Sequence, residues 1–158
     1  MSRSKMYGIR SDYTGTVLFE YPNSWLFSPN IWEMLPNKYI PDYIETPYGY
    51  KLMIIEPHYG PKVWSKTNEK VNNCNNTPDR VCWELSNQNI FSTNDKDLIA
   101  DSIIKFMEQN IQYLEASKPE NIIKRFSEIA SNIRSIDEKE YPYFVFKNTT
   151  CDDGVENW

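Results

Sequence analysis

The chain has 158 residues, 40% apolar and 25% charged, with a formal net charge of −5. That length buries ~70% of the unfolded surface, enough for one core without disulfides or metal and too little for two comfortable domains. The apolar fraction excludes a disordered chain, and no apolar run approaches the ~18 residues of a membrane helix.

Met1 to Met6 is charged with no apolar run behind it, so no secretory leader is expected and the location expected is the cytoplasm. Eight of the ten prolines fall in residues 22–78, mostly beside aromatics, which excludes long uninterrupted elements there. Strands are predicted over Thr14 to Tyr21 and Tyr50 to Glu56. Between them, Ser28 as N-cap and Pro29 at the first helical position start a short helix that Pro36 is expected to end. Residues 65–79 are polar and asparagine-rich with Val71 as the single aliphatic residue, and read as an exposed loop. Val81, Trp83 and Leu85 alternate with Cys82 and Glu84, predicting a third strand over Arg80 to Leu85.

A helical hairpin is the strongest signal. Thr93 or Asn94 caps a helix with Asp95 and Asp97 in its first turn, and Leu98, Ile99, Ile103, Phe106, Met107 and Leu114 recur at helical spacing to about Ala116. Ser117-Lys118-Pro119-Glu120 has capping-box form. A second helix then runs to about Ile136, with Ile122, Phe126, Ile129, Ile133 and Ile136 as its apolar stripe and Lys124, Arg125, Glu128 and Arg134 off it. The short connection predicts an antiparallel pair. Tyr143 to Lys147 is a further strand. The fold class expected is α+β: a mostly antiparallel sheet with the helical hairpin packed on one face. One domain spans 1–158, divided into an aromatic and proline-rich half (1–92, with loop 65–79), the hairpin (93–136), and a final strand with an acidic tail (137–158).

Catalytic signatures are missing. The five glycines never cluster as phosphate-binding loops do, and no serine sits in a nucleophile elbow. His58 is the one histidine, and Cys74 and Cys82 are not spaced as zinc ligands, so no metal or cofactor is expected. An odd cysteine count, Cys74, Cys82 and Cys151, points to reduced thiols, with Cys74 exposed and Cys82 a small buried strand residue. Of the thirteen aromatics in residues 7–64, Phe19, Trp25 and Trp32 are expected in the core, and Tyr39, Tyr43, Tyr48 and Tyr59 are candidate exposed anchors.

Charge is unevenly placed. Residues 1–79 hold 8 basic and 8 acidic side chains, residues 80–158 hold 9 and 14, so the whole excess lies in the second half. Asp137, Glu138 and Glu140 precede the last strand, and Asp152, Asp153 and Glu156 follow it. Net acidity disfavours nucleic acid as a direct partner and matches a basic protein.

A small, acidic, tyrosine-rich chain without an active-site signature resembles the immunity proteins of bacterial toxin systems, including contact-dependent growth inhibition. The resemblance is one of overall profile. It implies a cytoplasmic bacterial inhibitor, monomer or weak dimer, that binds a cognate toxin, most simply a basic nuclease. The six acids and the four tyrosines named above would then imitate the polyanion the toxin cleaves. Two other classes fit the same residues: a phage-type antagonist of a host defence nuclease, and a small hydrolase using His58 with carboxylates.

Overall fold

A computed structural model describes residues 3–44, 61–116 and 118–149. The fold is α+β. Four strands, β1 (Arg3–Ile9), β2 (Gly15–Pro22), β3 (Ile90–Ser92) and β4 (Tyr143–Thr149), form one antiparallel sheet in the order β2-β1-β4-β3. The helices are α1 (Ser28–Tyr39), the single turn α2 (Pro41–Ile44), α3 (Pro61–Asn72), α4 (Thr77–Ser86), α5 (Lys96–Asn110) and α6 (Glu120–Arg134). Among the described residues no helix is long and apolar enough to cross a membrane.

Period-two alternation gives the sheet two different faces. Met6, Phe146, Phe144 and Tyr21 turn toward the helices and share one core with Ile31, Leu35, Ile103, Phe126 and Ile133, while Tyr7, Ile9 and Val145 form a second, smaller buried cluster on the opposite face. Phe27 links sheet to hairpin, its ring centroid 4.5 Å from Phe126 and 4.9 Å from Phe146. Central β1 carries Gly8 because nothing larger fits: a Cβ there would stand 2.7 Å from Leu18 Cδ1 and from the Tyr141 ring.

The hairpin is present and antiparallel. Ile122, Phe126, Ile129, Ile133 and Ile136 are all buried, as their spacing requires. Arg125 was expected off the stripe, yet it is buried, donating 2.7 Å to the Pro22 carbonyl while its guanidinium lies over the Tyr21 ring. Its long stem follows the apolar face and its head finds a carbonyl at the end of β2. Leu98 departs the other way, 54% exposed on the outer side of α5. Neither Thr93 nor Asn94 caps α5, whose N-cap residue is Asp95 without a side-chain cap bond; Ser92 instead caps the 3-10 turn leading into it (Thr93–Asp95), its hydroxyl accepting from Asn94 N at 3.3 Å.

Several expectations for the first half are overturned. β1 went unforeseen. Helix α1 continues through Pro36 to Tyr39; the proline removes one intrahelical hydrogen bond, and burial of Ile31, Met34, Leu35 and Pro36 offsets it. Residues 65–79 are mostly helical, with a turn left only at 73–76: α3 covers Pro61–Asn72 and buries Val63, Thr67 and Val71, one per turn. Arg80 to Leu85 is not a strand but the body of α4, whose Asn76 cap accepts from Asp79 N at 3.2 Å. Cys82 is buried there in a helix, and Cys74 is half-buried; both are free thiols. Trp25 is 53% exposed rather than core, standing out from a 3-10 turn (Ser24–Leu26) that buries Leu26 instead. The strand predicted over Tyr50 to Glu56, His58 and Cys151 lie outside the described residues.

Candidate protein-binding face

Antiparallel packing brings the start of α5 to the end of α6. Arg134, in the last turn of α6, is 3.3 Å from Asp97 Oδ1 and also binds Asp101. Lys96 Nζ donates to the Ile136 carbonyl at 2.8 Å, and Thr93 N donates to the Pro142 carbonyl at 2.9 Å. These bonds hold the turn at 137–140 against the N-terminal turn of α5. Within that turn Asp137 Oδ1 accepts from Lys139 N, and the Asp137 carbonyl accepts from Tyr141 N at 2.8 Å.

The outcome is an acidic end of the hairpin. Asp95, Asp97 and Asp101 from α5 and its lead-in turn join Asp137, Glu138 and Glu140, and all six are exposed. Asp95 and Asp97 are stabilised by the unpaired amides of the helix start. Four cations answer them: Arg134, Lys96, Lys139, and Arg10, which is 4.0 Å from Glu140. Asp101 and then Asp97 push the exposed Arg134 guanidinium above its ordinary value. Leu98, between Asp97 and Asp101 in sequence, places an exposed apolar side chain on the same helix.

The structure therefore brings Asp137, Glu138 and Glu140 together with Asp95 and Asp97, read from the sequence only as first-turn residues of a helix, and with Asp101 one turn further on. The signal for Asp95, Asp97 and Asp101 was available, since an antiparallel hairpin must set the first turn of one helix beside the last turn of the next. Asp152, Asp153, Glu156, Tyr48 and Tyr59 lie outside the described residues, as does the side chain of Tyr43. Tyr39 is described, and it is no free anchor: it is part-buried at the opposite end of α5, about 20 Å from the acidic end by helix rise.

Tyr39 belongs to a polar centre around Asp79, whose side chain is wholly buried. The carboxylate accepts from Lys38 Nζ at 2.7 Å, Tyr39 Oη at 2.5 Å and Asn110 Nδ2 at 2.7 Å, and Lys38 Nζ also donates to Asn110 Oδ1 at 2.9 Å. Burial, then the Asp79 carboxylate, pushes the Tyr39 phenol well above its ordinary value. The donors and acceptors satisfy one another across α1, α4 and α5, so this centre joins the three helices. A cleft of about 460 Å³ lined by Tyr39, Ile40, Asp42, Lys66, Glu69 and Lys70 opens beside it. Among the described residues no three His, Cys, Asp or Glu side chains gather as metal ligands.

Comparison with family models, curated proteins and solved structures yields no match to this chain.

Proposed function

We propose that the chain is an immunity-type inhibitor of the bacterial cytoplasm, which binds a cognate toxin, a basic nuclease, and covers its active site or substrate surface. The observation that carries this reading is the acidic end of the hairpin, six exposed carboxylates held on the start of α5 and on a hydrogen-bonded turn. A nuclease holds a polyanion with cationic side chains, and carboxylates fixed on rigid elements compete for the same groups. Opposite charge accelerates encounter, while apolar side chains such as Leu98 supply the desolvated contact that lengthens the complex.

Co-expression with the product of the adjacent gene tests the reading. The expected result is a product that alone stops growth and degrades nucleic acid, and that is silenced by this chain both in cells and as purified proteins. An adjacent product that is harmless, or a toxic one whose activity the chain leaves unchanged, overturns it.

A further inference from the structure

The outer seam between α5 and α6 holds a second surface feature. A groove of about 330 Å³ runs along it, floored by Met107 and Phe126 and walled by Ile104, Ile111 and Ile123. Ile123 is 39% exposed and Ile104 and Ile111 are half-buried, so the core comes to the surface here. On α5 and its 3-10 extension, Asp97, Asp101, Ile104, Glu108 and Ile111 follow one another at intervals of four and three, so carboxylates and groove residues share one helix face. Across the seam Glu120 and Ser127 stand three and four positions either side of Ile123. Four acids thus line or flank the groove; Arg134 is bound to Asp97 and Asp101, Lys105 stands four positions after Asp101 and three before Glu108, and Lys124 stands four after Glu120. Lys105 and Lys124 each follow a groove isoleucine and point about 100° further round their helices.

We infer that this groove docks a basic amphipathic helical segment of the protein partner, its apolar side chains on Ile104, Ile111 and Ile123 and its lysines or arginines over Glu108, Glu120, Asp101 and Asp97. The inference rests on the reading of a basic protein partner and goes further by naming the contact. Charge selects the occupant. An acidic or neutral apolar helix would fill the same groove but meet carboxylates along its rim, whereas a basic one gains attraction at each. The seam also begins at Asp97, Asp101 and Arg134, so it is continuous with the acidic end and one partner can span both.

The probe is a synthetic peptide of about fourteen residues, leucine at every third or fourth position and lysine or arginine elsewhere. One control has the same composition with the leucines scattered around the helix, and a second replaces the basic residues by glutamate. Binding is followed by fluorescence anisotropy and by the methyl resonances of Ile104, Met107, Ile111 and Ile123. The basic amphipathic peptide is expected to bind and shift those methyls, and Ile123→Arg or Glu108→Lys, at an exposed groove carboxylate, to weaken it about tenfold or more. No binding, equal binding of either control, or indifference to both substitutions overturns the groove. The two claims separate in the protection assay. If the native chain silences the toxin and a folded Ile123→Arg or Glu108→Lys variant does so equally well, the groove is wrong and the inhibitor reading stands. If the native chain silences nothing, the inhibitor reading falls whatever the peptide does.

Discussion

Lys38 Nζ stands 2.7 Å from Asp79 Oδ2, 41 residues along the chain, and the carboxylate side chain has no solvent exposure. Such a pair is costly to bury and costlier to break, because the surviving partner keeps its desolvation without its attraction. Asp79→Ala is therefore expected to lose about 3–5 kcal/mol in urea unfolding. Asp79→Asn, which keeps the acceptor oxygen, should lose less. Equal stability of Asp79→Ala and the native chain would show that the centre does not join α1, α4 and α5.

The hairpin stripe gives the second prediction. Ile129 is fully buried and Lys124 exposed on the same helix. Ile129→Asp buries an unpaired charge and should cost more than about 4 kcal/mol or abolish folding, whereas Lys124→Asp should stay within about 0.5 kcal/mol. Thermal melts that rank the two variants equally would place the helix in another register.

These two predictions differ in how far the sequence could carry them. The α6 stripe was legible because five large apolar residues repeat over four turns with little competing signal. α4 was misread because Val81, Trp83 and Leu85 satisfy a period of two while Val81, Cys82 and Leu85 satisfy a helix equally well, and a short apolar run does not decide. The deciding signals were outside the run: Asn76 as cap, Pro78 in the first turn, and Asp79 after it. α3 was lost for a similar reason, since a window opening at Ser65 leaves out Pro61 and Val63, the start and first buried position of the helix. β1 hid behind Arg3, Lys5 and Gly8, yet Lys5 sits 3.5 Å from Glu20 across the ladder and Gly8 is fixed by the Tyr141 ring. Of the acidic end, the 137–140 acids were visible as a charge cluster, but their meeting with Asp95, Asp97 and Asp101 is tertiary and follows only from the pairing of the helices.

Gly8 supplies a local test of that β1 packing. Gly8→Ala drives a methyl into Leu18 and the Tyr141 ring, and overpacking of this kind costs about 1–3 kcal/mol. Differential scanning calorimetry should show a Tm lower by roughly 2–4 °C per kcal/mol for a chain of this length. An unchanged Tm would mean that the Tyr141 ring moves away freely.

Glu33 makes stability depend on pH. Burial, and then the nearby Glu115 carboxylate, pushes its carboxyl above the usual range, while the Glu115 amide pulls the other way. A carboxyl that holds its proton more tightly folded than unfolded subtracts from stability at high pH and subtracts nothing below the unfolded value of about 4.3. Glu33→Gln should raise Tm at pH 7 and leave it unchanged near pH 3. A lower Tm at pH 7 would mean that the bond from Glu115 N outweighs burial.

Stopped-flow association with the adjacent-gene toxin at several ionic strengths shows whether the acidic end meets a basic partner. Asp97→Asn, Asp137→Asn and Glu138→Gln are combined in one variant, all three being exposed and off the apolar stripes. For the native chain the association rate should fall about tenfold or more between low and high salt, and the triple variant should associate more slowly with a flatter salt dependence. An association rate indifferent both to salt and to the three substitutions would mean that the acidic end does not meet a basic partner.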